Sequence, residues 1–163
     1  MSTLADFLSK KNLEGLILSS VSEGDVFRMH LGEEENVKGK DKNDDGRNKY
    51  FVLLGQDSEG NALGFVLIDT EINPYLPQRR KDLHYPLLAS KYLFLKGKNR
   101  FVDCSDFKII SHKRFTELFG ADKSKGKIEA DDLSYIKEAV ASYEDASPKL
   151  LKRFGLKSEK DSE

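Results

Sequence analysis

Arg47 stands where a charged, Gly- and Asn-rich stretch, Glu33 to Gly46, gives way to the apolar run Tyr50 to Leu54. An arginine at that position offers a planar, permanently charged fork suited to phosphate. The same position also fits an ordinary solvated charge at a strand start. A second basic feature is Arg79-Arg80-Lys81, within a block from Pro74 to Arg114 that holds ten Lys/Arg against three Asp/Glu, or +7. The block before it, Glu23 to Glu71, holds twelve acids against six bases, or −6, while the whole chain carries only −1. A basic block of this kind fits a polyanion-binding surface, and equally well a set of solvated strand faces.

Other chemistries find less support. Asp41-Lys42-Asn43-Asp44-Asp45-Gly46 matches the opening of a Ca²⁺-binding loop. That loop needs a bidentate Glu at its twelfth position, which here is Val52 inside an apolar run, so a solvated turn is expected. His30, His84 and His112 have no paired spacing and no neighbouring Cys pair, so the sequence carries no zinc pattern. Cys104, the single cysteine, reads as a small packing residue rather than a nucleophile with His112 as base. Gly55, Gly60 and Gly64 follow no nucleotide-binding spacing. The sequence therefore predicts neither a cofactor nor a bound metal.

The elements that must position these residues follow from patterning. A chain of 163 residues fits one domain with a self-sufficient core. No apolar run nears the roughly 20 residues of a membrane span, and Met1 to Phe7 lacks the layout of a signal peptide. With one cysteine and no such segment, a reducing, cytoplasmic setting is expected. Residues 3–18 suggest a helix capped by Ser2 or Thr3, with Leu4, Phe7 and Leu8 on one face. Val26 to Leu31 alternates as a strand, Glu33 to Gly46 reads as a long mobile loop, and Tyr50–Leu54 with Ala62–Ile68 reads as a hairpin. Residues 72–81 read as loop, Lys91–Leu95 as a strand, and Arg100–Ile110 as a strand with a bulge around Asp103–Asp106.

Leu133, Ile136, Val140 and Tyr143 mark a helix starting at Asp131 or Asp132, and Ser147-Pro148 with Gly155 brackets a short one over Lys149–Phe154. These pieces predict an α+β protein built on a small SH3-like β-barrel with C-terminal helices. Residues 1–22 form an N-terminal helical extension and 23–115 the barrel core, with its acidic loop at 33–46. Residues 116–156 supply the C-terminal helices, and 157–163 a disordered tail.

Three ordered segments resemble the MazF/PemK-like toxin family. Gly24-Asp25-Val26-Phe27 is similar to the family's opening Gly-Asp-Ile-Val strand. Gly46-Arg47-Asn48-Lys49-Tyr50-Phe51-Val52-Leu53-Leu54 is similar to its Arg-Pro pair and the apolar strand after it, with Asn48 in the proline's place. Arg100 to Phe115 aligns without gaps to a later segment: Val102, Ile110 and Arg114 agree, while Asp106, Lys108 and Ile109 depart from it. Gly126-Lys127-Ile128 through Ile136 resembles the family's ending, and Thr70 falls where the family often places a strand-closing threonine.

The resemblance implies a homodimeric, barrel-fold, metal-independent endoribonuclease that cleaves single-stranded RNA through the ribose 2′-hydroxyl. Such an enzyme acts as a growth-inhibiting toxin restrained by an antitoxin. It places Arg47 and Thr70 as catalytic residues. Arg79, Arg80 and Lys81 would then track the RNA backbone, and Tyr50 and Tyr85, with Tyr92, would stack on bases. The departures at Asn48, Asp106 and Lys108 keep a second reading open: a non-catalytic barrel module that binds nucleic acid or a protein. A third is a diverged relative whose acidic insertion, Glu33–Asp45, covers the groove.

Overall fold

The computed structural model describes residues 3–39, 41 and 43–158. One curled, antiparallel sheet of half-barrel form organises the chain, with helices on both of its faces. Its strands are β1 (Asp25–Gly32), β2 (Gly46–Gln56), β3 (Ala62–Asp69), β4 (His84–Leu87), β5 (Arg100–Asp103), β6 (Lys108–Ser111) and β7 (Ser124–Lys127), in the order β4-β5-β3-β2-β1-β7 with β6 also on β3. The helices are α1 (Leu4–Ser20), α2 (Gln78–Lys81), α3 (His112–Leu118), α4 (Ala130–Ser142) and α5 (Pro148–Arg153). The fold is thus α+β, as expected.

The apolar runs of β2 and β3 are continuous because both sheet faces are covered. Val52, Leu54, Val66 and Ile68 face a core closed by Ile136 and Val140 of α4 and Leu151 of α5. Phe51, Leu53, Leu63 and Phe65 face a second core closed by Phe115 of α3. There Phe115 meets Phe27 edge-on at 5.3 Å, a geometry worth about 0.5–1.5 kcal/mol beyond the area it buries.

The anticipated irregularity between Asp103 and Asp106 is a full break. Ile68 lies opposite Val102 but Phe65 opposite Lys108, so three steps along β3 span six along its partner. Cys104 to Phe107 absorb the difference as a turn. Lys91–Leu95 is not a strand. Tyr92 and Leu95, three apart, point inward while Leu93 is 98% exposed, and a 3₁₀ turn at Leu93–Leu95 runs into left-handed Lys96 and Gly97. The strand in this region is β4. Its Pro86 is tolerated because β4 is an edge strand with a partner on one side only. The 72–81 segment ends in the single helical turn of α2, and polar β7 extends the sheet beyond β1.

Thr3 and Asp6 form the capping box of α1, whereas Ser2 and the side chains of Phe7 and Leu8 lie outside the described residues. Ser147 caps α5, Pro148 opens it, and Gly155 at φ +73° ends it with the Leu156 amide on the Leu151 carbonyl. Of the expected 157–163 tail, residues 159–163 lie outside the described residues.

The acidic loop is anchored at its start. Glu35 is buried, accepts from the Gly32 amide at 2.9 Å and sits 3.5 Å from Arg114, while the Lys108 ammonium donates to the Glu35 and Asn36 carbonyls. The expected solvated turn at 41–46 includes Lys42, outside the described residues; around it, Asp45 holds His30 at 2.9 Å.

Candidate nucleic-acid groove

A groove of about 1070 Å³ crosses one end of the sheet. The start of β2 supplies Arg47, Asn48, Lys49 and Tyr50 to it, and the end of β3 supplies Ile68, Asp69 and the following Thr70. Arg47 and Thr70, far apart in sequence, therefore share one cavity, as do Tyr50 and Arg80. Both Arg47 and Thr70 are exposed. Gly46 fixes where Arg47 emerges: it faces Gly32 across the β1–β2 ladder, and a Cβ on it would lie 2.1 Å from the Leu31 carbonyl oxygen.

The other sequence-selected residues lie elsewhere. Arg79 pairs with Asp145 at 2.5 Å and lies 6.0 Å from the Tyr143 ring, outside the groove. Lys81 and Tyr85 do not line it either. Tyr85 stacks on Tyr135 at 6.1 Å and donates its hydroxyl to Asp132 at 2.6 Å; burial, then that bond, push its phenol up to about 12. Tyr92 also donates to Asp132, and Lys91 joins them at 2.9 Å. Burial alone would raise the Asp132 carboxyl, but these three partners outweigh it and hold it below the ordinary range. Tyr85 therefore fastens α4 to β4, and Tyr92 fastens it to the segment before the 3₁₀ turn. Cys104 is 1% exposed and its thiol is pushed up to about 12 by burial and then by Asp103, which suits the packing role expected of it.

The groove gathers residues that no local motif marked. Arg28 lies opposite Tyr50 in the β1–β2 register, and Arg28 and Arg100 place their guanidiniums 5.7 and 5.0 Å from the Tyr50 ring centre. Seven cations line the cavity (Arg28, Arg47, Lys49, Arg80, Lys96, Arg100 and Lys125) against four acids, Asp69, Glu71, Asp103 and Asp106. Two of the cations are spent locally. Lys49 holds Asp69 at 2.5 Å; Arg80 lies 3.5 Å from Asp103 and donates to the Ser105 hydroxyl at 2.8 Å. Asp106 is taken by buried Lys108 at 3.2 Å, so two of the three departures in the 100–115 segment form one ion pair. No residue of the 33–45 loop lines the cavity among the described residues.

Asp69, His84 and Asp103 each bring one potential ligand atom within 4.8 Å of the others. Because Lys49 and Arg80 already neutralise the two carboxylates, the set reads as an ion-pair cluster around an imidazole rather than a metal centre. Glu129, Asp131 and Asp132 converge in the same way, on the Lys91 ammonium. Sequence spacing could not reveal the first cluster, because three adjacent strands assemble it across the sheet; the signal would have been the β4–β5 register, which sets His84 opposite Asp103. No protein-family model matches the chain, and no curated protein matches it.

Proposed function

We propose that this groove binds single-stranded RNA and that the protein is a metal-independent endoribonuclease of the MazF/PemK-like type. On this reading it is a growth-inhibiting cytoplasmic toxin, homodimeric, built on an SH3-like barrel and restrained by an antitoxin. The observation that carries the proposal is the meeting of Arg47 and Thr70 in one cation-rich cavity. The nucleophile, a ribose 2′-hydroxyl, belongs to the substrate, so the protein has to position the phosphate and neutralise the charge that develops on it. Arg47 supplies a fork for that charge, Thr70 a hydroxyl contact, and Arg28, Arg100, Lys96 and Lys125 a path for the flanking phosphates. The Tyr50 ring, stacked on Phe94 at 6.4 Å, holds the Arg28 and Arg100 guanidiniums over it at the groove. The curled antiparallel sheet supports the barrel reading.

The test is incubation of the purified protein with mixed single-stranded RNA in EDTA, beside Arg47→Ala. Cleavage by the wild type and a loss of roughly 10²–10³-fold in the variant are expected, as when one transition-state donor is removed. Expression of wild type but not Arg47→Ala should arrest growth. Salt-sensitive RNA binding without products would favour the non-catalytic module instead.

A further inference from the structure

Resting on the ribonuclease reading, we propose that His84 is the general base of the groove, its Nε2 taking the 2′-hydroxyl proton directly or through one water. Arg47 has no free lone pair for a proton, and the Thr70 hydroxyl is a very weak base. Three of the four groove carboxylates already hold a cation: Asp69 holds Lys49, Asp103 holds Arg80 and Asp106 holds Lys108. An imidazole is the side chain whose ordinary titration falls between pH 5 and 8, and His84 is the histidine that lines the cavity.

Its geometry is that of a base. Nδ1 lies 2.8 Å from the Arg80 carbonyl oxygen, which can only accept, so Nδ1 carries the hydrogen and the neutral ring presents a lone pair at Nε2. Nε2 faces Asp103 Oδ1 at 3.7 Å, with an Asp69 oxygen within 4.8 Å. Asp103 is itself fixed by the Ser105 amide and hydroxyl, at 3.0 and 2.6 Å. The charged groups around the ring are thus Asp69 from β3 with Lys49 of β2 behind it, Asp103 from β5, and Arg80 from α2. The side chain is 2% exposed, so it is held in one orientation before substrate arrives.

The step balances as follows. Nε2 takes the 2′-hydroxyl proton, the 2′-oxygen bonds to the adjacent phosphorus, and the bond from phosphorus to the 5′-oxygen breaks. The departing 5′-oxygen takes a proton from water, and the imidazolium returns its proton to the hydroxide left behind. The products are a 2′,3′-cyclic phosphate and a 5′-hydroxyl.

The experiment is single-turnover cleavage of a single-stranded RNA in EDTA from pH 5 to 8, for wild type and His84→Asn. The asparagine amide keeps the hydrogen bond to the Arg80 carbonyl. The wild-type rate is expected to rise with pH. The variant should be slower by about 10²–10⁴-fold with that rise lost, while its affinity for an uncleavable all-deoxy strand of the same sequence stays within about threefold of wild type. A variant rate within about threefold of wild type overturns the proposal. So does a wild-type rate that does not rise over this range, a readout needing no substitution. Activity lost in EDTA and restored by Mn²⁺ also overturns it, as His84 would then serve a cation. A wild type that cleaves no RNA under any condition overturns the ribonuclease reading itself, and His84 with it.

Discussion

Arg47 and Arg80 line the same cavity in different states. Arg80 spends its guanidinium on Asp103 and Ser105, whereas Arg47 has no ion pair among the described residues. Free charge and fork geometry can therefore be separated at Arg47. Arg47→Lys keeps the charge and loses the bidentate fork, so cleavage should fall by about tenfold or more while the salt dependence of RNA binding holds. Arg47→Ala should instead reduce the slope of log affinity against log salt by about 0.7, the single-strand value for one phosphate contact. Filter binding at several salt concentrations separates the two. The sequence singled out Arg47 at a strand entrance, and the family resemblance singled out Thr70. It could not expose Arg28, Arg100 or His84, whose meeting depends on strand register, and it did not foresee Arg79 turning away to Asp145.

At the scale of elements, the β1–β2 ladder sets where Arg47 stands. Gly46 and Gly32 face each other at its end, with no room for a side chain against the Leu31 carbonyl. Gly46→Ala should force the strands apart, cost about 1–3 kcal/mol in urea unfolding, and lower the cleavage rate although no groove atom is removed. Elements with strong local signals were legible: the apolar runs of β2 and β3, a cap at Ser2 or Thr3 that proves to be Thr3, and α5 between Ser147 and Gly155. β4 hid behind Pro86 and β7 behind its polar sequence, because sheet pairing decides both. The apparent strand Lys91–Leu95 misled because a 3₁₀ turn and a strand can both bury two residues of five.

The molecule as a whole is fastened by two buried carboxylates that do not line the groove. The Arg153 guanidinium, followed by the Glu59 amide, holds the Asp57 carboxyl below its ordinary value and ties the β2–β3 turn to α5; Asp132 does the same for α4. A carboxyl whose folded value is depressed adds stability that is full above the unfolded value, near 3.8, and is lost as pH falls through the folded one. Asp57→Asn should therefore melt below wild type at pH 7, with the gap narrowing by pH 3. No helix among the described residues is long and apolar enough to cross a membrane. The groove at the end of this braced sheet is read as an RNA-cleaving site, and end-group analysis tests that reading most directly. A single-stranded RNA with one 2′-deoxy position at each cut site is compared with the all-ribose strand, both in EDTA, and the products are identified by mass. The expected result is a 2′,3′-cyclic phosphate and a 5′-hydroxyl from the ribose strand, with the modified positions uncut. Cleavage at the deoxy positions, or no cleavage of either strand, would contradict it.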